Sequence, residues 1–404
     1  MPMKIAMAIA AWALITACSA CHADAPLSSY ALDYDITFQP EDGIAKVKIR
    51  WGQGAQRIQQ LSLRTHPRMS QFESNVAFSR AEDVLVIGPA RAGMELTYQV
   101  SINHQRANGA FDARMTANWA LWRGDDLIPA GRLKQKKNTE AIAHLTLRGP
   151  SDWSFRTPYR KLQDGRYRVD NPERTFDRPT GWMIGGEIGV RSDTIAGVLV
   201  TVAAPQQQGV RRMDILAFLS WTLPTLAEVM PNLPDRLLLV SANDGMWRGG
   251  LSAGNSLYLH ADRPLISENG TSTLLHELIH VASRLDSIDG ADWIVEGLAE
   301  YYSVKLLHRS GAISASRRDR AMDGLRDWSK QAGPLNAENS TGPTTAKAAV
   351  IMELLDQEII QRTDGKHSLD DIFASLANDK SVSIETLRLT QKRFTQRTSD
   401  VLKF

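Results

Sequence analysis

The chain holds two cysteines in 404 residues, Cys18 and Cys21, and both fall near the start. The remainder therefore closes no disulfide, and its core must stand on apolar burial alone. With 43% hydrophobic residues over this length, that burial suffices for about two domains. Charge of one sign is also scarce. The net charge is +2, and no Lys/Arg cluster is interleaved with aromatics, which excludes nucleic acid as the expected partner. No apolar run reaches the 18 or so residues that cross a bilayer. The sequence has no internal repeat and no low-complexity tract, and no tyrosine follows Tyr302.

The longest apolar run lies at the N-terminus. Lys4 precedes the stretch Ile5 to Ile15, and small residues follow it. This is the pattern of a secretory signal peptide. Cleavage after Ala23 would remove residues 1–23 and leave a chain beginning at Asp24. Alternatively, Ile15-Thr16-Ala17-Cys18 resembles a bacterial lipobox, which would make 1–17 the signal and Cys18 a lipid anchor. Either route predicts an exported protein, periplasmic or membrane-anchored as a lipoprotein of a bacterial envelope.

Residues 26–205 read as an antiparallel, β-sandwich-like domain. Ala45, Val47, Ile49 and Trp51 alternate with Lys46, Lys48 and Arg50, and Met94 to Ile102 repeats the period. Pro205 to Gly209 marks a boundary, and 210–404 forms the second domain. There the pattern predicts a helix over 211–230 and strands over 236–241 and 255–260. Helices follow over 273–285, 293–308, 314–331, 345–362, 369–376 and 384–397. Strands followed by a run of helices place the chain in the α+β class.

Residues 274–283 read LLHELIHVAS. His276 and His280 are one helical turn apart on the same face, so two imidazoles can reach one ion. Glu277 is turned about 100° to one side, placed to act on a water rather than to ligate. The alternative is simple packing. However, Leu274, Leu278, Val281 and Leu285 bury this helix, where unpaired imidazoles would be costly. Asp286 to Gly290 break the helix, and Asp292 is a candidate cap for the next. The return stretch WIVEGLAEYY, 293–302, puts Glu296 in its first turn, facing the histidines. Two histidines and one glutamate supply three ligands for one zinc ion per chain, with a fourth position open.

HELIH followed by WIVEGLAEYY resembles the glutamate-zincin metallopeptidases, particularly the glycyl-aminopeptidase family and, more distantly, the aminopeptidase N type. The similarity covers most of 210–378. It includes Arg248-Gly249-Gly250-Leu251 before the helix and the later Leu355-Asp356 and Ser368-Leu369-Asp370-Asp371. The resemblance implies a thermolysin-like, mainly helical zinc-peptidase domain after the β domain. It implies His276, His280 and Glu296 as zinc ligands and Glu277 as general base. Glu300, one turn after Glu296, would orient a ligand histidine; otherwise it is an ordinary solvated helix charge. Tyr301 and Tyr302 read as packing residues.

Two departures from that pattern matter. Aminopeptidases of this kind carry an amine-binding glutamate on the strand before the zinc helix, and Gly249 to Gly254 contains no acid. They also use a tyrosine to stabilise the oxyanion, and here Thr345 stands where it would be expected, with His308, His367 or an arginine as substitutes. No counterpart of the family's C-terminal peptide-binding module is expected before Phe404. Three readings follow: an active envelope peptidase acting on a peptide or protein substrate, a relative that keeps zinc and binds peptides or an envelope partner without turnover, and a structural zinc protein closed by a fourth ligand.

Overall fold

The computed structural model of the protein describes residues 28–171, 176–230, 232–243, 245–288 and 290–403. The signal segment, Cys18 and Asp24 lie outside the described residues. Among those described, no helix is long and apolar enough to cross a membrane.

The alternating N-terminal sequence folds into packed β-sheets. In strand Ser28–Gln39 the side chains of Tyr30, Leu32, Tyr34, Ile36 and Phe38 are buried on one face. This strand pairs antiparallel with Ile44–Trp51 and parallel with Thr139–Arg148, at the centre of a seven-stranded sheet. A four-stranded sheet built on Ile58–Arg64 packs against it, and the inner faces share one core that includes Trp51, Leu61, Leu85 and Trp122. The alternation of apolar and polar residues is what fixes register, since a one-residue slip would expose the whole buried set.

The second half is built on a five-stranded sheet in the order Ile188–Ile195, Val198–Pro205, Arg236–Ala242, Ser256–His260, Gly250–Ala253. Residues 188–205, which alternation alone assigns to the β domain, thus belong to this sheet: Ile188–Ile195 pairs with Val198–Pro205, and Val198–Pro205 pairs with Arg236–Ala242. Val198, Val200 and Val202 bury against Leu219, Leu223 and Leu239 in the second core. A period of two identifies a strand but does not name its partner.

Among the described residues, seven helices complete this half: α1 Arg212–Val229, α2 Thr273–Ser283, α3 Asp292–Arg309, α4 Ala315–Ser329, α5 Pro343–Arg362, α6 Leu369–Asp379 and α7 Ile384–Thr395. They share the core with one sheet face. The opposite face meets the β-rich half through Trp119, Leu121, Trp182, Ile184, Val240 and Tyr258. The architecture is α+β, a sheet-rich N-terminal part followed by a mainly helical one.

Candidate metal centre

Helix α2 starts at Ser272, whose hydroxyl accepts from the Leu275 N–H at 3.3 Å, and ends where Arg284 turns into the left-handed region at φ 49°. Its outer turns rest on the edge strand Gly250–Ala253. The approach requires glycine: a Cβ on Gly250 would lie 2.6 Å from Thr273 Cγ2 and 3.1 Å from Glu277 Cγ. Helix α3 returns alongside α2. In its second turn Gly297 allows close approach to α5, where a Cβ would meet Ala348 at 2.7 Å. Asp292 is the first residue of α3 rather than its cap, which is Ala291; its carboxylate accepts from the Ser340 N–H at 2.6 Å. The acid that helix-start rules assign to a cap instead holds the segment leading into α5.

This hairpin brings His276, His280 and Glu296 together. One donor atom from each lies within 4.8 Å of the other two. His276 Nε2 is 3.2 Å from Glu296 Oε2 and 3.2 Å from His280 Nε2, and His280 Nε2 is 3.4 Å from Glu296 Oε1. His276 Nδ1 meets Glu300 Oε2 at 3.0 Å, a bond that fixes the ring and leaves Nε2 aimed at the centre. Glu277 stands apart from the three donors, 7% exposed, with Oε2 accepting from the Ser252 N–H at 2.7 Å.

The charges here are tightly coupled. Burial works against the charged form of His276, but its bonds to Glu296 and Glu300 outweigh burial and raise it well above the ordinary value. His280 is pushed down to about 4, by burial first and then by the neighbouring His276. Burial also works to raise Glu296, yet the bond to His276 and the charges of both histidines hold it below the usual carboxylate range. Glu277 is raised, chiefly by burial. Two imidazole nitrogens and a carboxylate oxygen converging on one point form a donor set suited to a zinc ion. The residues present therefore fit that ion.

The candidate substitutes for an oxyanion group make other contacts. Thr345, in the first turn of α5, donates its hydroxyl to the Ser340 carbonyl at 3.1 Å. His308 lines a cavity together with Lys305 and Asp356, and His367 packs edge-on against Phe394. Tyr301 and Tyr302 do more than pack: their hydroxyls donate to Asp356 and Asp370. Those aspartates and Lys305 escape sequence reasoning, although Leu355-Asp356 and Ser368 to Asp371 stand out as motifs without an assigned partner.

No protein-family model and no curated protein matches the sequence. Solved structures share its shape. An aminopeptidase N family protein from Idiomarina loihiensis superposes with a TM-score of 0.65 at 18% identity, covering 86% of this chain and 70% of that one. Legionella pneumophila aminopeptidase A, in complex with aspartic acid, gives a TM-score of 0.60 at 12% identity over 93% of this chain. The chain spans 49% of the length of the Legionella protein. The protein has the fold of aminopeptidase N-type proteins, in agreement with the resemblance carried by its two helical motifs.

Proposed function

We propose that this protein is an exported zinc metallopeptidase that hydrolyses peptide bonds in a peptide or protein substrate. The observation that supports the reading is the convergence of His276, His280 and Glu296 beside Glu277 and the edge strand of the sheet. Strand Gly250–Ala253 is the last in its sheet. The His260 N–H donates to the Gly249 carbonyl, so antiparallel alternation turns the N–H and C=O groups of Gly250 and Ser252 outward, where the Ser252 N–H meets Glu277. An extended peptide can add to that edge as a further strand, which brings its backbone alongside Glu277.

His276, His280 and Glu296 would hold one zinc ion per chain, with Glu300 orienting His276. When bound, zinc supplies Lewis acidity to the scissile carbonyl. Glu277 takes the proton of the attacking water and returns it to the leaving amine. Nucleic acid has no part in this reading. Export follows from residues 1–23, with Cys18 as the alternative anchor if 1–17 is the signal.

A second reading keeps zinc and peptide binding without turnover. It is favoured by one observation: Thr345 spends its hydroxyl on Ser340, and no tyrosine follows Tyr302. Metal analysis combined with an unbiased peptide-library digest, with and without chelator, separates the two. Chelator-sensitive cleavage supports the peptidase; stoichiometric zinc with no cleavage supports the binding protein. Cleavage unaffected by chelator, or protein devoid of zinc, would remove the first reading.

A further inference from the structure

Helix α3 carries its candidate metal-facing carboxylates on one side and a partly buried charge cluster on the other. At about 100° per residue, Glu296 and Glu300 lie within about 40° of each other. Tyr301, Tyr302, Lys305 and Arg309 lie about 100–200° further round, on the opposed face. There, four side chains of α3 converge on two aspartates from other helices. Lys305 Nζ is 2.6 Å from Asp356 Oδ2 on α5 and 2.9 Å from Asp370 Oδ1 on α6. The Tyr301 hydroxyl donates to Asp356 at 2.5 Å and the Tyr302 hydroxyl to Asp370 at 2.7 Å. Arg309 Nη1 completes Asp370 at 2.6 Å, and Asp356 Oδ1 also accepts from the Leu369 N–H at the start of α6, at 2.8 Å.

Such a cluster is a poor device for stability. Exchanging a whole buried ion group for uncharged residues of similar shape is often neutral or stabilising, because the desolvation of the ions is no longer required. What it does supply is direction. Two tyrosine hydroxyls, an ammonium and a guanidinium along two turns of α3 must all meet their acceptors at once, and a small rotation of the helix breaks several bonds together. Burial alone would raise Asp370, yet Lys305, Arg309 and Tyr302 outweigh it and hold it ionised. A cavity of about 550 Å³ opens onto Tyr301, Lys305 and Asp356, so the cluster borders solvent rather than sealed core.

We infer that Lys305, Asp356 and Asp370 are positioning residues that fix the rotation of α3, and thereby hold Glu296 and Glu300 in place for a zinc ion. The inference rests on the proposed metal reading. Its test uses the full chain with Lys305→Met, Arg309→Met, Asp356→Asn and Asp370→Asn combined, which removes all four charges while the amides still accept from the tyrosines and Leu369. Three quantities are measured: zinc affinity by competition with a chromophoric chelator, the thermal midpoint of metal-free protein, and the 15N-imidazole signal of His276 in metal-free protein.

The expected result is a midpoint that is unchanged or higher, zinc binding weaker by about 10–100-fold, and a shifted or broadened His276 signal. A cluster with a merely structural role would move the midpoint and leave the affinity alone. Undiminished zinc affinity in the folded variant overturns the proposal. If the quadruple variant does not fold, Asp370→Asn alone, which leaves Asp356 with Lys305 and Tyr301, decides by the same affinity measurement. If wild-type protein binds no zinc, the metal reading falls, and an unaltered His276 signal in the variant then overturns the positioning role independently.

Discussion

The main-chain N–H of Ser252 donates to Glu277 Oε2 at 2.7 Å, and this bond ties the edge strand of the sheet to the helix that carries both histidines. The strand that would receive an extended peptide and the carboxylate that would handle the proton are therefore held as one unit. Gly250 makes the contact close, since any side chain there would strike Thr273 and Glu277. Positioning of this kind lowers a barrier by removing the need to assemble the groups during the reaction.

Metal content is the most direct consequence of the geometry. Purified protein should carry about one zinc per chain, because three protein donors converge on one point. His280→Ala or Glu296→Ala leaves only two of them, and most of the zinc should be lost. Elemental analysis of both variants checks this; stoichiometric zinc in each would end the assignment.

Glu277→Gln separates holding an ion from moving a proton. Glutamine keeps the size and an oxygen able to accept from Ser252, so the fold, the strand contact and the zinc content should survive. Any hydrolysis should fall by about 10²–10⁴-fold, the usual contribution of a positioned acid–base group. Equal cleavage by wild type and variant would place the activity at another site or in a contaminant. If neither cleaves, Thr345→Tyr asks whether one phenol restores turnover.

The parts of this arrangement that are legible in sequence are the local ones. The pair His276 and His280 and the return of Glu296 depend on helical periodicity and a short break, both of which lie within thirty positions of sequence. Other features depend on distant partners. Lys305 meets Asp356 fifty-one positions away and Asp370 sixty-five away, and nothing in the sequence around Lys305 names either acid. Strand Val198–Pro205 was equally readable as a strand, but its parallel partner, Arg236–Ala242, lies beyond helix α1. Asp292 illustrates a third limit, because a rule for helix starts cannot foresee that Ser340 will claim the carboxylate.

A pH dependence follows from Asp177 in the β-rich half. Its side chain accepts from the Asn171 N–H at 3.0 Å, and burial, followed by the charge of Asp170, pushes its carboxyl from 3.8 up to about 6. A carboxyl raised by folding contributes stability below its unfolded value, and that contribution is lost as pH rises through the folded one. Asp177→Asn keeps an acceptor and removes the titration. Denaturant unfolding should show no gain at pH 4 or below, a difference that widens between about pH 4 and 6, and a gain of about 1–3 kcal/mol above that. A difference independent of pH would contradict the buried carboxyl as its cause.

The outward edge also predicts how substrates are selected. A free α-amine bound near the metal would need a carboxylate to receive it, and Leu251, Ser252, Ala253 and Gly254 provide none. The acids described at this site are already engaged. Glu277 accepts from Ser252, Glu296 and Glu300 contact the histidines, and Asp292 accepts from Ser340. Peptides blocked at the N-terminus should therefore be cut at least as well as the same peptides with a free amine. Matched acetylated and free substrates, compared by kcat/KM, measure this directly. Strict dependence on a free amine would show that a carboxylate reaches the edge strand from elsewhere and would overturn the prediction.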